Sequence, residues 1–225
     1  MIHNPRSWYN HMTSMEEEIN PIMNAILKGN HINAVDEAKK LLENGIEKGE
    51  IVSVLEKAMI NLDEKCTIEH FNLLEIMLAG RAVMSVMNVL YPPGSSPPLT
   101  KGTIAIASLE GDIHDLGKGI VIIILVAYGY KTIDCGKDCP VENLIDTAER
   151  EKVDAIFVSG LITPVIPQVQ RIKEVLKERK LNIKVIAGGA ALKQSSAEKL
   201  NVDFVAETAF DGLRFFKKYV KNRDV

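Results

Sequence analysis

The sequence predicts an α/β protein: an N-terminal four-helix bundle followed by a flavodoxin-like (Rossmann-like) five-stranded parallel sheet. Three observations carry that expectation. Residues 14–90 place apolar side chains at helical spacing. The segment Tyr91-Pro92-Pro93-Gly94-Ser95-Ser96-Pro97-Pro98 can neither continue a helix nor join a sheet. After Lys101, short runs rich in Val, Ile and Phe alternate with helical stretches, the pattern of a parallel sheet covered by helices on both faces.

In chain order, residues 1–13 read as a loose lead. A first helix is expected from Ser14 to Leu27, with Gly29-Asn30 as its stop. A second covers Ile32 to Asn44, where Val35, Ala38, Leu41 and Leu42 share one face. A third runs from Glu50 to Lys65, with Ile51, Val54, Leu55, Ala58, Met59 and Leu62 inward. The fourth begins after Thr67, a plausible N-cap, and ends near Leu90. Its stripe of Leu73, Met77, Gly80, Met84 and Met87 predicts a bundle core, with a greasy lid over a bulky flat ligand as the alternative. Residues 91–101 form a semi-rigid proline-rich linker. The expected strands are Thr103–Ala107, Lys131–Cys135, Asp154–Val158, Ile183–Ala187 and Asp203–Ala206, in spatial order 2-1-3-4-5. The domains are thus 14–90, the linker, and 102–225.

Composition narrows function. The 225 residues are 46% hydrophobic and 25% charged, enough for packed cores. A net charge of −3 gives no basic surface for nucleic acid. Residues 1–100 hold 8 basic against 13 acidic side chains, and the remainder 19 against 17, a difference read as solvated helix faces. Cys66, Cys135 and Cys139 are too few and too odd for a disulfide framework, and nothing near Cys135 and Cys139 completes a zinc site. The start lacks the order of a signal peptide, and the longest apolar run, Ile120 to Tyr128, is too short to span a bilayer. A cytoplasmic protein with no membrane partner is expected.

Ligands of doubly wound sheets bind beyond the carboxyl ends of the strands. The unusual residues gather there. Asp112 and His114 follow strand one, Ser159-Gly160-Leu161-Ile162-Thr163-Pro164 follows strand three, and Gly188-Gly189-Ala190 follows strand four. Strands one, three and four are expected neighbours, so the three loops should converge. An Asp112 carboxylate can accept a hydrogen bond from one nitrogen of the His114 ring, which leaves the other for a metal. Gly111 and Gly117 allow the loop an unusual path.

These strings, Asp112-x-His114-x-x-Gly117, Ser159-x-Leu161 and Gly188-Gly189, resemble the pattern of the B12-binding module of cobalamin-dependent methionine synthase and related corrinoid proteins. The longer stretches Gly111-Asp112-Ile113-His114-Asp115-Leu116-Gly117-Lys118 and Ser159-Gly160-Leu161-Ile162-Thr163-Pro164 strengthen the resemblance. The N-terminal helices resemble the helical cap that precedes this module in methyl-carrying corrinoid proteins, so the likeness covers nearly the whole chain beyond residue 14. Gly119 departs from the pattern, where the family more often carries asparagine, and bears on local loop packing.

The resemblance implies a cobalamin bound with its own base displaced and His114 as the lower cobalt ligand. Asp112 and Ser159 would form a relay behind it, and Ile113, Asp115 and Gly117 would belong to the same cofactor-binding loop. Leu161, Thr163, Gly188 and Gly189 would line a slot for the displaced nucleotide tail, while the cap covers the upper face. It further implies a non-catalytic corrinoid subunit, without catalytic residues of its own, that carries a methyl group between two methyltransferases. The first would be substrate-specific, taking methanol, methylamines, methoxylated aromatics or quaternary amines. The second would serve coenzyme M or tetrahydrofolate, and a reductive activase would be a further partner. The alternative is a cobalamin-responsive regulator. Such proteins usually add a DNA-binding helix-turn-helix, for which the first 14 residues leave no room. A mutase module would not need the cap, and a phospho-receiver would want an aspartate where Ser159 stands.

Overall fold

In the computed structural model, residues 20–65, 73–92 and 101–221 are described. The expected N-terminal lead, the start of the first helix, the Thr67 cap, Cys66 and most of the linker lie outside them. The chain divides into two compact units, one before Pro98 and one from it onward.

In the N-terminal unit, residues 20–27 are helical (α1). They are followed by α2 (His31–Glu43), α3 (Lys48–Lys65) and α4 (Leu73–Leu90). The α1–α2 corner is built by local chemistry. The Asn30 side chain caps α2 by accepting the Asn33 amide at 3.1 Å. Gly29 has φ +67, and a Cβ there would stand 2.4 Å from that of Leu78, so α4 packs directly on the corner. The inward face of α3 is as expected, with Ile51, Val54, Leu55, Ala58, Met59 and Leu62 all buried. On α2, Ala34 and Ala38 join Leu41 in the core.

The fourth helix differs from expectation. Its buried stripe is Ile76, Ala79, Val83, Val86 and Leu90, whereas Met77 is exposed and Met84 and Met87 are half-buried. Of the expected core stripe, Gly80 is buried, and Leu73 has no described side chain. Arg81, Ser85 and Asn88 share the side of α4 opposite this stripe, so they mark the outward face and leave the methionines on its flank.

The C-terminal unit is a five-stranded parallel sheet in the order β2-β1-β3-β4-β5. Its strands are β1 (Thr103–Ser108), β2 (Lys131–Asp134), β3 (Ala155–Ser159), β4 (Lys184–Gly188) and β5 (Phe204–Ala206). The crossovers are α5 (Leu116–Ala127), α6 (Val141–Arg150), α7 (Ile166–Glu178, after a 3-10 turn at Thr163–Val165) and the short α8 (Ala197–Leu200). The last helix, α9, spans Ala209–Lys221. Strand side chains alternate between faces. Ala105, Ala107, Ile156, Val158, Val185 and Ala187 pack with the apolar sides of α6 and α7. On the opposite face Phe157 meets Phe216 of α9 edge-on at 6.1 Å, and Tyr130 lies 5.2 Å from the same ring.

Strand limits shift by one or two residues from the sequence reading, for a reason visible at Asp154 and Asp203. The sequence predicts both to lie in strands, and both instead brace strand entries with their carboxylates. Asp154 accepts the Thr103 amide at 2.9 Å. Asp203 accepts the Val185 amide at 2.8 Å and pairs with Lys173 and Lys184. Burial alone would raise the pKa of Asp203, but the two lysines and the amide outweigh it and hold it below the ordinary value.

Asp203→Asn is therefore expected to destabilise the short edge strand by about 2 kcal/mol near neutral pH. A folded-state pKa below the unfolded one means that this contribution is complete above the ordinary carboxylate range. It disappears as pH falls through the folded value. Denaturant unfolding of both proteins should show the gap near neutrality and its closure in acid; a gap independent of pH would refute the assignment.

Candidate functional site

The sheet register sets the site. Ser108 pairs with Ser159, Ser159 with Gly188, and Gly188 with Ala206, so β1, β3, β4 and β5 finish on one line. The loops after β1, β3 and β4 leave from adjacent points on that line, as the sequence order implied.

The loop after β1 carries a concentration of buried polarity. Among the described residues, the buried polar or charged side chains are Ser108, Asp112 and Lys118, at 0%, 1% and 1% exposure. Buried polar groups are kept only when satisfied, so each marks a specific constraint. The Ser108 hydroxyl donates to the His114 carbonyl at 2.8 Å. Asp112 Oδ1 lies 2.7 Å from His114 Nδ1 and accepts the His114 amide at 3.0 Å. Asp112 Oδ2 accepts the Leu161 amide at 2.7 Å, which ties the β1 loop to the β3 loop. Burial would raise the pKa of Asp112. The Leu161 and His114 amides, with the His114 ring, outweigh burial and keep the pKa below its usual value.

The expected residues are thus brought together, with one difference in wiring. A relay from Asp112 to Ser159 was expected, yet the second carboxylate oxygen is taken by the Leu161 amide. The Ser159 hydroxyl instead stands against α5, 3.3 Å from where a Cβ of Gly117 would sit. A backbone donor two residues beyond a strand end is invisible to side-chain motifs. The His114 side chain is 51% exposed, although its carboxylate partner is buried. Ile113 in the same loop, Leu116 at the start of α5, and Leu161 across from them are exposed apolar residues. Thr163 opens the 3-10 turn and is exposed.

Gly188 ends β4, and Gly189 follows with φ +103. A Cβ on Gly189 would lie 2.5 Å from the Gly160 carbonyl oxygen, so the two loops touch backbone to backbone. Gly119, the departure from the family pattern, has open space around its would-be Cβ, and its amide makes an ordinary helical bond to Asp115.

Sequence reasoning gave no role to the segment after β2. Ser108 donates its amide to the Gly136 carbonyl and accepts the Cys139 amide, while the Asp138 amide reaches the Asp112 carbonyl. Asp138 also accepts the Gly111 amide at 2.7 Å, with its own φ at +53. The clue available in the sequence was position, since Asp134 stands at a strand's carboxyl end. Burial pushes the Cys135 thiol up to about 11, and Cys139 shifts the same way, so neither is an activated thiol.

A doubly wound sheet whose strand ends present a carboxylate-held imidazole, an apolar rim and two close-packed glycine loops defines an α/β ligand-binding domain, here preceded by a helical unit. The B12 binding domain family matches residues 102–214. The chain belongs to that family, and its cofactor is a cobalamin-type corrinoid. Dimethylamine corrinoid protein 3 of Methanosarcina mazei is 35% identical over 142 residues, covering 61% of this chain and 85% of that protein. Trimethylamine corrinoid protein 2 of Methanosarcina acetivorans is 30% identical over 152 residues, 65% of this chain and 70% of that one. Among solved structures, the methanol:cobalamin methyltransferase complex from Methanosarcina barkeri aligns with TM-score 0.79 and 25% identity, over 91% of this chain and 80% of that chain. A cobalamin-binding protein from Desulfitobacterium hafniense shares the fold, with TM-score 0.72 and 21% identity over 89% of this chain and 98% of that chain. No helix among the described residues is long and apolar enough to cross a membrane.

The residues present suit such a group. Such a group would supply a cobalt centre, to which the chain would offer one nitrogen donor. A proton on Nδ1, donated to Asp112, leaves the lone pair of His114 on Nε2. The exposed Ile113, Leu116 and Leu161 offer apolar contact to a wide ring.

Proposed function

We propose that this protein carries methyl groups on a corrinoid held with its own base displaced and His114 as the lower axial ligand. The residues that would hold the cofactor are Asp112, Ile113, His114, Asp115, Gly117, Ser159, Leu161, Thr163, Gly188 and Gly189. The observation that carries the reading is the His114–Asp112 pair, a half-exposed imidazole on a buried carboxylate already held by two amides.

When bound, the corrinoid supplies a cobalt centre that takes up and gives up a methyl group. The chain's part is to orient and to manage a proton. Asp112 holds the proton on Nδ1 and so keeps Nε2 free, and its depressed pKa keeps it anionic for that task. Gly189 holds the β3 and β4 loops in direct backbone contact, because a Cβ there would meet the Gly160 carbonyl oxygen. Residues 14–90 would form the cap, 91–101 the linker and 102–225 the cobalamin-binding domain.

The partners would be a substrate-specific methyltransferase for a methylamine, methanol, a methoxylated aromatic or a similar donor, a second methyltransferase for coenzyme M or tetrahydrofolate, and a reductive activase. Support comes from relatives named for dimethylamine and trimethylamine, and from a structural neighbour that is a methanol:cobalamin methyltransferase complex.

The test mixes reduced, corrinoid-loaded protein with candidate methyltransferases and donors. The visible spectrum of the cofactor should convert only when both enzyme and donor are present. No conversion across the methylamine and methanol enzymes, together with sequence-specific DNA binding, would favour a regulator instead.

A further inference from the structure

Lys118 is the buried side chain that the proposed function leaves without a task. It is the third residue of α5, and only 1% of its surface is exposed. Two costs make that placement informative. An ammonium loses hydration on burial, and the N-terminal turn of a helix is its positive end, which disfavours a cation. An apolar residue of similar length would fill the space without either cost.

The lysine is kept there by two carboxylates from different elements. Asp115 Oδ1, at the N-cap of α5, lies 2.8 Å from Nζ, and Asp134 Oδ1, at the end of β2, makes a still closer contact. Burial draws the lysine pKa down, but the bonds and charges of Asp115 and Asp134 outweigh it and leave it raised. Asp115 gives up its usual duty for this contact, since it stands at the N-cap yet its side chain accepts no amide of the helix. The same Asp134 oxygen also accepts the Gly136 amide at 2.8 Å and so anchors the turn after β2. That turn is the backing of the ligand loop, through the bonds of Ser108, Asp112 and Gly111 to residues 136–139.

We propose that Lys118 is a positioning residue for the corrinoid ligand: by clamping Asp115 to Asp134 it fixes where the neighbouring His114 stands over the strand ends. The proposal rests on the reading of His114 as the axial ligand. Asp112 orients the ring, Ser108 holds the His114 carbonyl, and Lys118 holds the residue that follows. Three constraints on the adjacent residues His114 and Asp115 leave the imidazole little room to shift. An axial bond needs that, because an ångström of misplacement is enough to lose it.

The test uses the full chain loaded with cobalamin and electron paramagnetic resonance of its paramagnetic form with isotopically labelled histidine. A wild-type spectrum without histidine coupling overturns the His114 reading, and this proposal with it, before any variant is made. With coupling present, Lys118→Met is expected to bind cobalamin about 10-fold more weakly and to show a smaller histidine-coordinated fraction. Its cofactor-free melting temperature should stay at or above that of the wild type, since a buried ion pair has been replaced by an apolar side chain. Lys118→Arg should recover part of the coordinated fraction. Wild-type affinity and unchanged histidine coupling in Lys118→Met would overturn the proposal. Should that variant fail to fold, Asp134→Asn decides: a reduced coordinated fraction supports the clamp, and an unchanged one rejects it.

Discussion

On the proposed reading of His114, its replacement with alanine is expected to leave the fold nearly untouched and to remove a nitrogen donor from cobalt. The side chain is half-exposed, and its ring has Asp112 as its hydrogen-bond partner. Losing one such bond costs about 1 kcal/mol, a few degrees of melting temperature for a chain of this size. The carboxylate left behind keeps the His114 and Leu161 amide positions, since both are backbone. Cofactor effects should be far larger. Loss of a group behind a metal ligand weakens a site by about 10–100-fold, and loss of the ligand itself should reach at least the upper end.

Asp112→Asn provides the contrast. The side chain is 1% exposed, and both its oxygens accept amides. An asparagine must turn its NH2 towards one of those donors, which leaves two donors facing each other in a buried space, at about 2–3 kcal/mol. The two variants should therefore rank oppositely. Alanine at 114 gives the larger spectroscopic loss, and asparagine at 112 the larger loss of stability. Thermal melts of the cofactor-free proteins and titrations with cobalamin measure both. If His114→Ala keeps full affinity and histidine coupling, the ligand lies elsewhere.

Gly189→Ala is expected to be the most damaging substitution among the glycines of the site. The residue has φ +103, a region that side chains other than hydrogen rarely occupy, at about 1–3 kcal/mol. The added methyl would also meet the Gly160 carbonyl oxygen at 2.5 Å. That oxygen is backbone and accepts the Ala191 amide, so it cannot swing away as a side chain would. Strain and overlap together amount to about 3 kcal/mol, on the order of 10 °C in melting temperature. Corrinoid binding should fall with it, because relief requires the β3 and β4 loops to part. Gly119→Ala is the control, since its Cβ would meet open space in the first turn of α5. It should be neutral or slightly stabilising. Equal behaviour of the two variants in melting and in cobalamin titration would refute the close-packing argument.

Much of this architecture was legible along the chain because its causes are local. Buried parallel strands read as short β-branched runs, and the end of α4 at Leu90 follows from Pro92 and Pro93 lacking an amide hydrogen. The observed order β2-β1-β3-β4-β5 is the one expected from that alternation. Helix α3 buries the expected face of Ile51, Val54, Leu55, Ala58, Met59 and Leu62, whereas on α4 the expected methionine stripe gives way to the face opposite Arg81, Ser85 and Asn88.

The site divides in the same way. By itself the sequence determined the family, the loop that carries His114 and the pairing of its ring with an aspartate two residues earlier, since that bond spans a distance the local chain fixes. Only the tertiary structure decided that the second oxygen of Asp112 serves Leu161, 49 positions away, and that Lys118 reaches Asp134, 16 positions on. Those partners depend on the register that brings Ser108, Ser159 and Gly188 onto one line and on which buried donor lies nearest. Register and proximity are properties of the folded sheet, so a motif read along the chain can set His114 beside Asp112 but not show what holds that pair still.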